Sequence, residues 1–291
     1  MDLLTGPWPA RATWALLPFV IGPALGTALD DHSRAVALTG AALAWSAWVG
    51  GLVAVLLPRT VSLTALRIAA PAALGAAGWA ALAGERAALD ALAVTGAALT
   101  LVAAFSPLTG EHFVNGSAYG DERRLPLRVP GALVFGPVLI AELAAVSPLV
   151  AGPLLLAARQ WLAGVLVLVV GVPIAGGAIR ALHGLSRRWV VFVPAGMVLH
   201  DRHTMTDAVL FPRRLIARLG PASADLASNT IDLTGRSLGL ALELTLTEPL
   251  DVSPRRPDKT VQMVSVERLI FTPTRPGALL AEAARRRLPV G

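Results

Sequence analysis

The chain has 291 residues, of which 55 % are hydrophobic and 15 % charged, and its mean hydropathy is +0.64. Globular chains usually carry about 25 % charged residues, so this deficit excludes a disordered chain, a disulfide scaffold and a nucleic-acid-binding module. It points to a membrane protein. The chain has no cysteine, which excludes disulfides, thiolate metal sites and cysteine nucleophiles. Its single lysine, Lys259, against 24 arginines resembles the usage of a GC-rich bacterial genome, such as that of an actinobacterium.

Six apolar stretches approach the roughly 20 residues that a helix needs to cross a bilayer. The first also has features of a cleaved signal peptide, but Pro18 and Pro23 interrupt its apolar run, which favours a retained helix. Pro148 and Pro153 predict that the fifth stretch either continues as a longer helix or ends in a short re-entrant turn. The six stretches are residues 12–29, 35–57, 61–83, 87–105, 130–149 and 161–179.

Arginines near the span ends set the predicted orientation. With the N-terminus inside, the inner segments carry eight arginines and the outer loops three. The sequence therefore predicts a multi-pass protein of the plasma (inner) membrane, with the N-terminus and the C-terminal region in the cytoplasm. The inner arginines are Arg11, Arg59, Arg123, Arg124, Arg128, Arg180, Arg187 and Arg188.

The hydrophobic pattern changes near His183 from helical to alternating. This predicts a transmembrane helical domain over residues 1–182, with a net charge of +1, and a mostly-β domain over residues 183–291, with a net charge of +5. Leucines at every second position from Leu238 to Leu246 predict a strand with one buried face. A loop follows at residues 250–259, and Pro276 predicts the start of a helix over residues 277–288. The other predicted strands are residues 189–193, 197–200, 208–212, 215–219 and 268–272.

This order of strands, with the Arg275-Pro276 entry into a last helix, resembles the bacterial pleckstrin-homology-like domain. It resembles in particular the version appended to membrane helices in actinobacterial integral membrane proteins. The resemblance implies a small domain of barrel type with a C-terminal helix, and a role in scaffolding or interaction without catalysis. Pleckstrin-homology domains that bind phosphoinositides use a basic first hairpin. Here that turn is Pro194-Ala195-Gly196, so the resemblance does not extend to inositol-phosphate recognition.

An intramembrane carboxylate is the strongest single candidate for a functional residue. Glu142 lies about 12 residues into the fifth predicted span, about 18 Å along a helix and near the bilayer centre. Such a group is a functional hypothesis by default, and Arg67 in the third span is its predicted partner. The pair predicts a proton or substrate relay, while a structural ion pair or a glutamate beside a water-filled crevice are the alternatives.

The polar segment between the fourth and fifth spans, residues 106–127, is the second candidate. Its Glu111, His112, Asp121 and Glu122 can line a site, although the spacing of a zinc-binding HExxH motif is absent. In the tail, two histidines flank Asp201, which suits either a metal on a loop or a solvated turn. We therefore predict no metal and no cofactor.

Three hypotheses follow for function. The first is a non-enzymatic membrane protein whose cytoplasmic domain docks a protein partner or self-associates. The second is a small transporter or lipid-handling subunit that uses Glu142 and Arg67, and the third is a membrane enzyme centred on residues 106–127. Anionic headgroups are expected partners and nucleic acid is not. The predicted lipid or partner contacts are Arg123, Arg124, Arg128, Arg187, Arg188, Arg213 and Arg214.

Overall fold

A computed structural model describes residues 6–223, 229–255 and 263–291. The chain divides into two compact units. The helical unit comprises Met1–Phe113 and Leu139–His183, and the β unit comprises Val114–Val138 and Gly184–Gly291.

Six helices of the helical unit are long and apolar enough to cross a membrane, which confirms the predicted multi-pass protein. Four of them begin and end within a few residues of the predicted bounds. A short helix, α5 (Pro107–Asn115), follows the fourth. The six are α1 (Trp8–Asp30), α2 (Arg34–Leu56), α3 (Thr60–Ala83), α4 (Ala87–Phe105), α7 (Pro137–Ala157) and α8 (Trp161–Ser186).

The fifth span begins seven residues later than predicted, because the chain from Pro130 first forms a single separate turn, α6 (Gly131–Val134). Gly136 then adopts a φ of 156°, which favours glycine, and Pro137 begins α7. The helix continues through Pro148 and Pro153, so residues 147–153 form no re-entrant turn. The sixth span, α8, extends seven residues beyond its predicted end.

Pro18 inside α1 releases a backbone carbonyl that the neighbouring helix α2 uses. Pro18 has no N–H, so the carbonyl of Trp14 loses its partner within α1. The indole of Trp48 in α2 donates to this carbonyl at 3.1 Å, and the indole of Trp14 donates to the carbonyl of Trp48 at 3.0 Å. The Trp14 ring fits against Gly51, where a Cβ would collide with it. A reciprocal tryptophan pair therefore joins α1 to α2.

Strands of the β unit form two separate four-stranded sheets. The first has the order β1-β2-β3-β4 and is antiparallel throughout. The second has the order β5-β7-β8-β6, with β6 parallel to β8. The strands are β1 (Arg123–Pro126), β2 (Trp189–Val193), β3 (Gly196–His200), β4 (Val209–Pro212), β5 (Ile216–Pro221), β6 (Thr230–Asp232), β7 (Leu242–Val252) and β8 (Val264–Phe271).

The predicted strands of the tail are confirmed, whereas closure into a barrel is not, because no strand pair of the described residues joins the two sheets. The predicted strand of alternating leucines, β7, begins at Leu242 and not at Leu238. Leu238 and Leu240 are exposed and precede β7, since Gly239 between them has a φ of 119° that breaks the extended backbone. At its other end β7 extends to Val252, into the predicted loop, of which residues 256–259 lie outside the described residues.

The core of the β unit combines both sheets and the last helix, α9 (Pro276–Arg285). Leu125 of β1 is buried in this core beside residues of the C-terminal segment. Pro276 begins α9 as predicted, and the helix ends at Arg285, before Arg286 and Arg287. Prominent members of the core are Leu125, Val190, Phe192, Phe211, Leu244, Phe271 and Leu279.

Candidate functional site

The β unit contains a strand that comes from between the membrane helices. β1 pairs with β2 in antiparallel register, with Leu125 opposite Val190. The hairpin of α7 and α8 separates these two strands in the chain. Both strands belong to one sheet, so the segment before the hairpin and the tail after it lie on the same side of the membrane. Alternation of Leu125 and Leu127 with polar or proline neighbours is the sequence signal of β1, which the sequence analysis missed.

A buried ion pair lies where β2 begins and β3 ends. The guanidinium of Arg188 binds the carboxylate of Asp201 in bidentate fashion, with both N–O distances at 2.7 Å. A third N–H of Arg188 donates to the backbone carbonyl of Arg128 at 2.5 Å, just after β1. Arg188 is 2 % exposed, so we assign it an internal structural part in place of the predicted surface contact. The pair ties the segment before the hairpin to the tail.

Asp201 stays ionised in this site. Its burial alone raises the pKa, but the hydrogen bonds and charge of Arg188, aided by Thr204 and the backbone N–H of His203, lower it more. The net result is a pKa below the ordinary value of an aspartate. The predicted alternative of a metal at this turn has no support from the described residues, in which no group of three metal-ligating side chains occurs.

Asn115 covers the outer edge of β1. Its side-chain amide donates to the carbonyl of Arg124 at 2.6 Å, and its amide oxygen accepts from the backbone N–H of Arg124 at 2.9 Å. One side chain thus imitates a neighbouring strand at an edge that would otherwise expose backbone groups. The Arg124 guanidinium binds Glu122 at 3.0 Å and lies over the ring of Trp189 at 5.7 Å.

Trp189 in turn stacks on His200, with ring centroids 5.0 Å apart. Burial lowers the pKa of His200, and Arg187, Arg202 and Arg124 lower it further against the opposing charge of Asp201. His200 is therefore held neutral beside several arginines. Its Nε2 has no hydrogen-bond partner among the described residues.

The end of α9 is fixed to the first sheet by Arg286. This side chain binds Glu282 at 2.6 Å, donates to the backbone carbonyl of Asp121 and lies over the ring of Phe192 at 5.9 Å. Arg285 binds Glu282 as well. Burial alone raises the pKa of Glu282, but the two arginines outweigh it and the pKa is lowered. The carboxylate is thus neutralised within the β unit.

Exposed arginines surround this helix end. Arg213 donates to the backbone carbonyl of Arg286, and Arg218 donates to the carbonyl of Gly291 at 2.8 Å. The β unit holds 18 basic and 12 acidic residues, a net charge of +6, which is the net charge of the whole chain. We name as the basic surface the exposed residues Arg213, Arg214, Arg218, Arg285 and Arg287.

Of the two intramembrane candidates, Glu142 lies nearer a helix end than predicted. Glu142 follows the start of α7 at Pro137 by five residues, about 8 Å along the helix, which revises the predicted depth of about 18 Å. Arg67 lies about 10 Å from the start of α3 at Thr60 and over the ring of Phe105 at 5.5 Å. In the described part of the chain no ion pair joins the two residues, and Nε of Arg67 and Oε2 of Glu142 have no hydrogen-bond partner.

The four candidates of the polar segment are divided between the two units. Glu111 and His112 lie in α5 of the helical unit, while Asp121 and Glu122 precede β1 in the β unit. Glu111 is buried. Burial, and secondarily the charge of Arg11, lower the pKa of His112.

No known protein family, curated protein or solved structure matches this chain.

Proposed function

We propose that this is a non-enzymatic integral membrane protein whose β unit faces the cytoplasm and serves as a docking or assembly module at the plasma membrane. One observation carries the proposal. The β unit is built from segments on both sides of the α7–α8 hairpin, with β1 before it and β2 after it. A module that is connected to a membrane hairpin at two points stays at the membrane, which lowers the entropy lost when it docks a partner.

The charge distribution supports a partner with an acidic surface. Asp201 and Glu282 are neutralised internally by arginines, whereas in the described part of the chain no ion pair holds Arg213, Arg214, Arg218 or Arg287. A cationic surface speeds encounter with an acidic partner and excludes other basic proteins. The partner is either another protein or a second copy of the chain, and anionic headgroups attract the same arginines.

Two finer assignments belong to this proposal. The antiparallel meander β1–β4, the second sheet and the terminal helix α9 support a pleckstrin-homology-like origin, and the arginine-rich usage supports an actinobacterial source. The excess of arginines on the inner segments supports the cytoplasmic placement of both termini.

Site-specific photo-crosslinking in native membranes tests the docking role with the full chain. A photoreactive residue replaces Arg214 on the basic surface or, as a control, the exposed Ser265 on β8. We expect one discrete adduct from position 214, of partner mass or of twice the chain mass, and none from position 265. Combining Arg213→Glu with Arg218→Glu should abolish the adduct from position 214. No adduct at 214, or equal adducts at both positions, would contradict the docking role.

A second candidate function is transport, and one specific observation favours it. Arg67 and Glu142 lie at similar distances from the starts of their helices and carry buried polar atoms without partners in the described residues. Unpartnered ionisable groups in spans mark relays. Vesicles loaded with a pH-sensitive dye and containing the full protein should then show a proton flux that Glu142→Gln abolishes. An identical flux in the variant and in protein-free vesicles would reject this role.

A further inference from the structure

Four large apolar side chains of the β unit are exposed close to the point where the chain enters α7. We call them the apolar tip. Their exposed fractions range from 47 % to 80 %, although the unit has a well-buried core that accommodates most of its other large apolar side chains. Exposed apolar patches of this kind mark contact with another phase or partner. The apolar tip consists of Val134, Phe135, Leu238 and Leu240.

Backbone contacts join the two segments that carry the apolar tip. The N–H of Gly131 donates to the carbonyl of Gly235 at 3.1 Å. A Cβ at Gly131 would collide with the carbonyl of Arg236, and one at Gly235 would lie 2.9 Å from Cβ of Pro130. Only glycine permits this approach at both positions, so the turn after β6 is fixed against the segment before α7.

Chain connectivity places Phe135 of the apolar tip close to the start of α7. Phe135 precedes Pro137, the first residue of α7, by two residues, which span at most about 7 Å. α7 is long and apolar enough to cross a membrane. Leu238 and Leu240 follow Gly235, which is bonded to this segment, by three and five residues.

Basic side chains accompany the apolar ones, as at a lipid interface. Arg236 is exposed within the turn, and a Cβ at Gly239 would lie 2.8 Å from Nε of Arg128. Arginine at headgroup level beside apolar side chains at the acyl boundary is the arrangement of interfacial segments.

We propose that the apolar tip inserts into the interfacial layer of the bilayer that α7 crosses, with Leu238 and Leu240 at the acyl boundary and Arg236 at the lipid phosphates. The tip is then a third attachment of the β unit to the membrane, besides the two covalent ones. This inference does not depend on the basic surface or on its partner.

The absence of cysteine makes a direct test available. Leu238→Cys is labelled with a polarity-sensitive fluorophore in the full chain, at about one protein per vesicle of phosphatidylcholine and phosphatidylglycerol. Asp251→Cys, exposed at the opposite end of β7, is the matched control. Lipid carrying a spin label near the headgroup should quench the label at 238 several-fold more than that at 251, and aqueous iodide should do the reverse. Equal iodide quenching at both positions would overturn the proposal.

Charge variants separate insertion from mere proximity. Adding Leu240→Glu to the labelled Leu238→Cys chain should reduce lipid quenching several-fold, with the signal at 251 and the circular dichroism unchanged. Arg236→Gln should reduce quenching to the level found in vesicles of phosphatidylcholine alone. Lipid quenching at 238 that is indifferent to Leu240→Glu would overturn the insertion. Because no other protein is present and most vesicles hold one chain, neither a protein partner nor a second copy can produce the expected signal.

Discussion

The two units of this chain satisfy their buried polar groups in opposite ways. The helical unit has no net charge and uses backbone carbonyls as acceptors between helices, as in the reciprocal bonds of Trp14 and Trp48 and the bond from Arg11 to the carbonyl of Val55. The β unit carries the whole net charge of +6 and uses charged pairs such as Arg188 with Asp201. Because lipid tails are apolar, the hydrophobic effect does not drive helices together in a membrane, and close packing and hydrogen bonds stabilise their association. A water-facing domain can bury charges when they are paired.

The two units also differ in which backbone carbonyls accept these hydrogen bonds. In α1, the carbonyl of Trp14 is available because Pro18 cannot donate to it. In the β unit, the carbonyl of Arg128 is available because it lies just beyond a strand end. Each unit thus uses backbone groups that its own secondary structure leaves free.

Breaking the buried ion pair should have the largest effect. Asp201→Ala leaves the Arg188 guanidinium buried without its partner, which costs about 3–5 kcal/mol in comparable pairs. We expect pulse proteolysis in urea to show that loss in the free energy of unfolding of the β unit. Arg285→Ala is the control, because this side chain is 70 % exposed and Glu282 keeps Arg286. Its effect should stay below about 1 kcal/mol. Similar losses in both variants would contradict the assignment.

Acid should destabilise the β unit selectively. The pKa values of Asp201 and Glu282 are lowered in the folded state, so the stability they confer is present above their ordinary values and is lost as the pH falls below about 4. The lowered pKa of His200 adds a loss that begins as the pH falls below about 6.5. Denaturation followed from pH 8 to 3 should show both phases, and His200→Phe should reduce the upper phase, to which the lowered pKa of His203 also contributes. A β unit of constant stability over this range would refute the claim.

Removing the cover of the β1 edge should have a smaller effect. Asn115→Ala deletes two hydrogen bonds to the backbone of Arg124, worth about 1 kcal/mol each. Hydrogen exchange of the Arg124 amide should accelerate about tenfold, while amides in the β7–β8 pair are unaffected. Asn115→Asp keeps the acceptor and should be intermediate. Unchanged exchange at Arg124 in both variants would show that the edge needs no cover.

The smallest effect is expected within the membrane. Trp48→Phe removes one indole bond between α1 and α2, and such bonds contribute about 0.6 kcal/mol on average in lipid. The change in the free energy of unfolding of the helical unit is measured in mixed micelles. Trp161→Phe, at an exposed position, is the control. A loss in the control as large as in Trp48→Phe would mean that the indole bond adds nothing.

The helices and most strands follow from local pattern, because long apolar runs and short β-rich runs need no distant partner to be recognised. α4 and β2 begin and end where the sequence predicts. β1 was missed because its four residues pair with a strand that lies beyond two membrane helices. Leu238 and Leu240 continue the alternation of β7 without belonging to it, because the φ of Gly239 is invisible in a hydrophobic pattern.

The candidate sites were harder to predict for the same reason. The sequence marks Arg188 as one basic residue among several, but only the fold brings it to Asp201 and Arg128. The depth of Glu142 depends on where α7 begins, and the separate turn α6 moves that point by seven residues. Charge pattern alone located the basic residues that remain at the surface, Arg213 and Arg214.

The central claim is that one folded module contains strands from both sides of the α7–α8 hairpin, and a cysteine pair tests it most directly. Arg124→Cys with Val191→Cys places the thiols directly opposite each other in the β1–β2 register. A protease site inserted at residues 158–160, between the two helices, then separates the chain into two fragments. After oxidation in membranes, the fragments should remain linked on a non-reducing gel, whereas Arg124→Cys with Val193→Cys, out of register, should release them. Release of the fragments in both variants would contradict the account.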